Sequence, residues 1–317
     1  MKNNSRILKG LVIHGSRNIM TVRVTTEKGI KELECRIKGK VLKSSENYYN
    51  PIAPGDWVNI EWQKEENTAM ILSVEDRRNL FRRFNQKESL SQFLAANVDL
   101  VLSVCTAISP PFRPRFLDRV LVQADIEGME AVIICNKIDL EYDDINVDER
   151  LEDFKRIGYK VITVSAKTGE GLEALRCEIE GKTSVLTGQS GVGKSSIINA
   201  LKPDVNIREG AINEKYNRGV HTTTMSFIVD INASTRLIDT PGVRLFIPDG
   251  IKAEELIYNM REFAPLAGKC SYGLSCSHKT EAGCKIMEAV NAGVIHEDRY
   301  ESFLRIREDI EGNISDY

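Results

Sequence analysis

Short segments in which apolar and polar residues alternate fill the first quarter of the chain. Met20-Thr21-Val22-Arg23-Val24, Leu33-Glu34-Cys35-Arg36-Ile37 and Trp57-Val58-Asn59-Ile60-Glu61-Trp62 are examples, and Gly29, Gly39 and Pro54-Gly55-Asp56 break them. Period-two alternation turns one face of each segment to a core and the other to water. Residues 1–76 therefore predict a small all-β unit of about five strands, a sandwich or barrel. Residues 77–96 open on Arg77-Arg78-Asn79-Leu80-Phe81-Arg82-Arg83 and predict a basic connector.

From residue 97 the pattern changes to continuous apolar runs separated by helical periodicity. Residues 98–104, 131–135, 160–164 and 184–187 predict buried strands, and 115–127, 147–157 and 172–179 predict helices between them. Strands alternating with helices predict a parallel sheet with helices on both faces, here over residues 97–250. Residues 251–317 read as helical, interrupted by a loop rich in Cys and His. With 317 residues, two or three domains are expected. No uninterrupted apolar run approaches the roughly 18 residues of a membrane span, and the first residues lack a signal-peptide core. The expectation is a cytoplasmic monomer with no membrane partner. Charge divides unevenly: residues 1–90 hold 17 Lys and Arg against 11 Asp and Glu, although the whole chain carries −3. A basic front on an acidic body suggests that the front meets a polyanion.

The candidate chemistry sits on the predicted strand ends. Gly188-Gln189-Ser190-Gly191-Val192-Gly193-Lys194-Ser195 follows one strand and opens a helix at Ser196, the context a P-loop requires. Its glycines let backbone N–H groups wrap phosphates, and the helix N-terminus adds its positive end. Lys194 would reach the β- and γ-phosphates, and the Ser195 hydroxyl would ligate Mg²⁺. Asn136-Lys137-Ile138-Asp139 follows another strand. The Asp139 carboxylate can accept from N1–H and the exocyclic amine of guanine, a donor pair that adenine lacks. Ser165-Ala166-Lys167 has the form of the loop whose backbone N–H receives guanine O6. Asp239-Thr240-Pro241-Gly242 follows a fourth strand. Asp239 suits a water-bridged Mg²⁺ position, and the Gly242 N–H suits the γ-phosphate.

Ordinary GTPases run P-loop, DxxG, NKxD, SAK. Here NKxD and SAK precede the P-loop and DxxG comes last, an order that a circular permutation explains, because all four still meet at one edge of the sheet. The join would be Glu180-Gly181-Lys182-Thr183, and the segment from Val243 to Pro248 would run straight into the C-terminal helical region. Cys270, Cys276, His278 and Cys284 offer three thiolates and one imidazole, the donor set of a closed tetrahedral structural Zn²⁺ site. In a chain without secretory features such a cluster reads as metal before disulfides.

On these motifs the chain resembles the circularly permuted GTPases of the RsgA (YjeQ) family over nearly its whole length. The resemblance implies an OB-like N-terminal β-barrel that binds RNA, a permuted P-loop α/β core binding GTP or GDP with Mg²⁺, and a C-terminal helical zinc-binding domain. It also implies a GTPase that acts on the small ribosomal subunit and its rRNA in late maturation. The family's HTT signature is matched by His221-Thr222-Thr223-Thr224. One of these threonines, with Thr223 favoured, would reach Mg²⁺ and the γ-phosphate. The family spacing leaves four residues between the first two cysteines, where this chain has five. Where a DxxGQ motif places the water-orienting Gln, this chain has Val243, so slow intrinsic hydrolysis is expected, with His221 a candidate for the missing role. Two other readings stay open: an RNA-binding module ordered by GTP with negligible turnover, and a permuted GTPase of large-subunit assembly.

Overall fold

The computed structural model describes residues 5–16, 18–39, 48–63, 68–142, 145–204 and 226–312. Five strands come first: β1 (Ser5–Ser16), β2 (Ile19–Thr26), β3 (Gly29–Ile37), β4 (Trp57–Gln63) and β5 (Thr68–Val74). They pair in the order β1-β2-β3-β5-β4 and close through β4 on β1, with β3 and β5 parallel. This closed five-stranded barrel has the OB-like connectivity. Closure requires β1 to serve two neighbours. Its first half, Ser5 to Leu11, pairs with β4, while Gly10 to Ser16 pairs with β2. Gly10 sits where the partners change, and a Cβ there would lie 2.4 Å from Val22 Cγ1. The alternating apolar residues fill the interior, among them Val12, Met20, Val22, Cys35, Val58, Ile60 and Ile71.

The stretch expected to be a plain basic connector is instead a hairpin, β6 (Leu80–Asn85) with β7 (Leu90–Ala96). Its apolar residues explain the difference: Phe81, Phe93, Leu94 and Ala95 are buried, while Arg82 and Arg83 are half buried. The hairpin is bonded to the barrel through Asn50, whose side chain exchanges two hydrogen bonds with the Phe93 backbone, each at 3.0 Å. Arg77 reaches back to buried Asp56 with both arms, at 2.7 and 2.8 Å.

Next come β8 (Leu100–Thr106), α1 (Pro114–Ile126), β9 (Glu130–Asn136), α2 (Ile145–Arg156), β10 (Lys160–Val164), α3 (Leu172–Ile179), β11 (Thr183–Gly188), α4 (Lys194–Leu201), β12 (Phe227–Asp230) and β13 (Arg236–Asp239). The strands lie in the order β10-β9-β8-β11-β13-β12, all parallel except β12. Strand periodicity divides the apolar residues between two cores. Val101, Ile133, Val185 and Ile238 face α1 and α2, whereas Leu102, Ile134, Leu186 and Leu237 face α3 and α4. Residue pair His14–Phe227 joins β12 to barrel strand β1, so barrel and core share one sheet.

The C-terminal region carries α5 (Lys285–Asn291) and α6 (Glu297–Ile310) after three short 3-10 turns. Its core packs Phe263 on Phe303, centroids 4.9 Å apart, and takes in Val122 from α1. A buried ionic cluster docks α6 on α1. Asp118, at 0% exposure, accepts from Arg299 Nη1 at 2.8 Å and from the Ser302 hydroxyl, and Arg299 also grips Glu262 at 2.6 and 3.0 Å. Arg119 pairs with Asp309, and Arg150 reaches Asp153 at 2.7 Å and Asp118 at 3.4 Å. No helix among the described residues is long and apolar enough to cross a membrane.

Each charge in this cluster is tolerated only with its partner. Replacing Arg299 with Ala strands Glu262 and leaves Asp118 with only the Ser302 hydroxyl and the longer contact to Arg150, and should destabilise the protein by roughly 3–5 kcal/mol. Chemical denaturation measures this; a loss below about 1 kcal/mol would contradict the ionic account of the docking.

Candidate functional site

Four of the motifs, all among the described residues, stand at the C-terminal ends of parallel strands: 188–195 after β11, 136–139 after β9, 165–167 after β10, and 239–242 after β13. Ligands of open α/β sheets bind at this edge. Gly191 and Gly193 adopt φ of +84° and +91°, left-handed conformations that let the loop curl before α4 begins. Lys194 is buried, and its ammonium donates to the carbonyls of Gly188 at 3.0 Å and Gln189 at 3.2 Å. Burial pulls its pKa down, opposed by the charge of Asp239. Asp239 is pushed up to about 7 by burial, against the pull of Lys194 and the Thr240 N–H. Its Oδ1 is buried without a hydrogen-bond partner. An orphaned buried carboxylate oxygen beside a phosphate-type loop fits the shell of a hard divalent cation. Thr240 is tied to Leu186, its N–H at 3.1 Å and its hydroxyl at 3.0 Å from the carbonyl.

Asn136 joins three loops. Its Nδ2 donates to the Val192 carbonyl at 2.9 Å, and its Oδ1 accepts the Ala166 N–H at 3.1 Å. A Cβ on Gly193 would lie 2.3 Å from that Nδ2, so the P-loop passes too close for any other residue. Lys137, at φ +68°, donates to the carbonyls of Gly191 and Ser109, both at 2.7 Å. Ile138 ties this turn to the end of β10 by donating its N–H to the Val164 carbonyl at 3.3 Å. Asp139 accepts from the Ser165 hydroxyl at 2.7 Å, with Lys167 Nζ 3.6 Å from its other oxygen. The Ser165 bond holds the Asp139 carboxyl below the usual carboxylate range, helped by Lys167. The carboxylate thus favours its ionised form, with 13% of the side chain exposed to accept further donors. Ser196 lies half buried on the first turn of α4.

Gly242 closes on the P-loop: a Cβ there would stand 2.9 Å from Ser190 Cα. Val243 is half buried and packs against the core cluster formed with α1, so an apolar side chain stands in the place of a water-orienting Gln. The segment after it runs on into the C-terminal region, as expected, and is held on the way. Phe246 is buried between Phe81 and Phe116, at 5.6 and 6.4 Å, and Phe84 donates its N–H to the Ile247 carbonyl at 2.9 Å. The β6–β7 hairpin therefore holds it. His221 and Thr223, with the rest of the HTT signature, lie outside the described residues. Neither the Ser109 contact of Lys137 nor the hairpin's grip on residues 245–247 has a motif that sequence reading could have found.

Cys270, Cys276, His278 and Cys284 converge with all four donor atoms within 4.8 Å of one another, and all four are buried. Cys270 and Cys284 sulfurs are 3.9 Å apart, and His278 Nδ1 is 3.6 and 3.5 Å from them. Tetrahedral zinc, with Zn–S near 2.3 Å and Zn–N near 2.0 Å, implies edges of about 3.8 and 3.5 Å. His278 reaches this geometry at φ +61°, and Tyr300 donates its hydroxyl to the His278 carbonyl at 2.7 Å. The extra residue between Cys270 and Cys276 leaves the donor set intact.

The family model described as RsgA GTPase matches residues 74–247. The protein called small ribosomal subunit biogenesis GTPase RsgA 2, from Bacteroides thetaiotaomicron, is 36% identical over 307 residues, 96% of this chain and 97% of that one. A Flavobacterium psychrophilum protein named small ribosomal subunit biogenesis GTPase RsgA is 34% identical over 87% of this chain and 86% of its own. Among solved structures, YjeQ from Thermotoga maritima superposes with a TM-score of 0.69 at 30% identity, covering 97% of this chain and 99% of that one. YloQ, described as a circularly permuted GTPase, shares the fold at TM-score 0.66 and 23% identity, covering 100% of this chain and 99% of its own.

Replacing Asn136 with Ala removes both bridges and strands the Val192 carbonyl and the Ala166 N–H. The expected cost is about 1–3 kcal/mol, with faster amide exchange at Ala166. Unchanged exchange at Ala166 would mean that the loops are held by something else.

Proposed function

Because the chain belongs to the RsgA family of circularly permuted GTPases, we propose that it binds GTP with Mg²⁺ and hydrolyses it on the small ribosomal subunit during that subunit's biogenesis. The observation that carries this reading is the Asn136 bridge, which brings the P-loop, the 136–139 turn and the 165–167 loop together over one sheet edge. In this reading Gly188 to Ser195 cradle the phosphates with Ser196 at the helix start, and Asp139 reads guanine while the loop from Ser165 to Lys167 frames the base. Lys194 leaves its two carbonyls for the β- and γ-phosphates. Asp239 and Ser195 hold Mg²⁺, which when bound neutralises phosphate charge. Gly242 offers its N–H to the γ-phosphate, and Thr223 and His221 complete the site from the segment outside the described residues.

Val243 supplies no group to orient water, so the free protein is a slow catalyst that needs its ribosomal partner. The basic, OB-like barrel is the RNA-facing module, and the protein works as a cytoplasmic monomer. Small subunits should raise turnover by orders of magnitude, since one missing group is worth roughly 10³–10⁵ in rate. Steady-state hydrolysis with separated subunits is the test. Equal stimulation by large subunits would redirect the assignment to their assembly, and no turnover under any condition would leave an RNA-binding module that GTP merely orders.

Guanine selectivity rests on Asp139. Asp139→Asn should weaken GTP roughly ten- to a hundredfold and favour xanthosine triphosphate, through loss of a charge-assisted bond to N1–H. Equal affinity of the unmodified protein for ATP and GTP would refute the assignment.

The four-donor cluster is assigned to one structural Zn²⁺, since the donor set is closed and its edges match zinc. Metal analysis of protein purified without chelator should find about one zinc per chain, lost in Cys284→Ser together with much of the stability of residues 251–312. A stably folded, metal-free preparation would rule zinc out.

A further inference from the structure

Arg83, on β6, belongs to none of the nucleotide motifs, yet its guanidinium grips the segment that follows Gly242. Nη1 donates to the Leu245 carbonyl at 2.9 Å, and Nε donates to Gln92 Oε1 at 3.1 Å. No carboxylate among the described residues pairs with it; burial lowers its pKa, and only Tyr49 opposes that shift. A partly buried cation that receives only neutral acceptors has a desolvation cost that an apolar side chain would avoid. What the guanidinium adds is direction: two fixed donors in one plane, and a charge-assisted bond to a backbone carbonyl.

The neighbouring contacts make that direction matter. Phe84 N–H holds the Ile247 carbonyl, so successive residues of β6 hold alternate carbonyls of 245–247. Phe246 lies between them in the aromatic cluster of Phe81 and Phe116. Gly242, three residues before Leu245, is already against Ser190 of the P-loop. Three residues of extended chain span at most about 10 Å, so a fixed Leu245 leaves the Gly242 peptide little freedom.

We infer that Arg83 is a positioning residue for GTP hydrolysis: by holding the Leu245 carbonyl, it fixes where the Gly242 N–H meets the γ-phosphate. This rests on the GTPase reading above. Its signature is specific, because the Gly242 N–H bears on a nucleotide with a γ-phosphate and not on GDP. An ordinary packing role would weaken both nucleotides alike.

The test compares the unmodified protein with Arg83→Met and Arg83→Lys. Met keeps the apolar stem and removes the donors, while Lys can still donate to the Leu245 carbonyl. The measurements are affinities for GDP and for a non-hydrolysable GTP analogue with Mg²⁺, single-turnover GTP hydrolysis, and the thermal midpoint. Arg83→Met should keep the thermal midpoint and GDP affinity, and lose about tenfold in analogue-over-GDP preference and in hydrolysis rate. Arg83→Lys should restore most of both. Unchanged preference and rate in Arg83→Met overturn the inference, as does a parallel loss for GDP and analogue with a lowered midpoint. Where Arg83→Met does not fold, Gln92→Leu frees the Nε anchor and must lower the same preference about threefold; an unchanged value overturns the inference. An unmodified protein that binds neither nucleotide overturns the GTPase reading and this inference with it, whereas normal binding with an indifferent Arg83 overturns the inference alone.

Discussion

The placement of β11 between β8 and β13 is the constraint on which the nucleotide site depends. The chain reaches β11 only after the strands that carry Asn136 and Ser165, so the two halves of the core meet through one parallel pairing, Ser184–Gly188 beside Leu100–Val104. That pairing is secured at its start. Asp99 N–H donates to the Thr183 carbonyl and the Asp99 carboxylate accepts the Thr183 N–H, each at 2.8 Å. Once β11 is seated, sheet geometry sets the P-loop beside the 136–139 turn, and the order in which the chain delivers the strands no longer matters. Parallel sheets put their ligand loops on one edge whatever the connectivity, which is why a permuted chain still gathers these four motifs on one edge.

Two further pieces of structure connect this core to its neighbours, and they use different physics. The C-terminal region is docked by buried charge. Asp118, Arg299, Glu262 and Arg150 satisfy one another out of water, and such clusters demand one geometry more than they add stability. The barrel is joined by backbone and aromatic contacts through the β6–β7 hairpin. The same hairpin is hydrogen-bonded to the barrel at Asn50 and to the segment after Gly242 at Leu245 and Ile247. A displacement of that segment is therefore felt by the hairpin and the barrel, and it reaches the C-terminal region along the chain itself and, by a second route, through α1. Gln123 supplies that second route, exchanging hydrogen bonds with the backbone of Asp249 at 2.7 and 3.3 Å.

Local signals carried much of the architecture. Alternation at Met20–Val24 and Trp57–Trp62 marked barrel strands because period two is a property of the backbone itself. The P-loop was legible because phosphate cradling requires glycines and a lysine at fixed spacing on a contiguous turn, and the Cys/His cluster because zinc accepts few donor types. The 77–96 stretch reads as a connector and folds as a hairpin for a related reason. Its arginines stand out, while the buried positions of β7 form one continuous run from Gln92 to Ala96 without period-two alternation, and the pairing carries a register shift between Phe81 and Arg82.

The sequence by itself thus determined the kinds of elements, the four strand-end motifs, their permuted order and the donor set of the metal cluster. Each of these is written in residues close together in the chain. Tertiary structure decided what depends on distant residues meeting: Asn136 spanning from Val192 to Ala166, Asp118 enclosed by Arg299, and Arg83 holding a carbonyl 162 residues away. A hydrogen bond to a backbone carbonyl leaves no trace in the identity of the accepting residue, so no pattern in the chain could announce it.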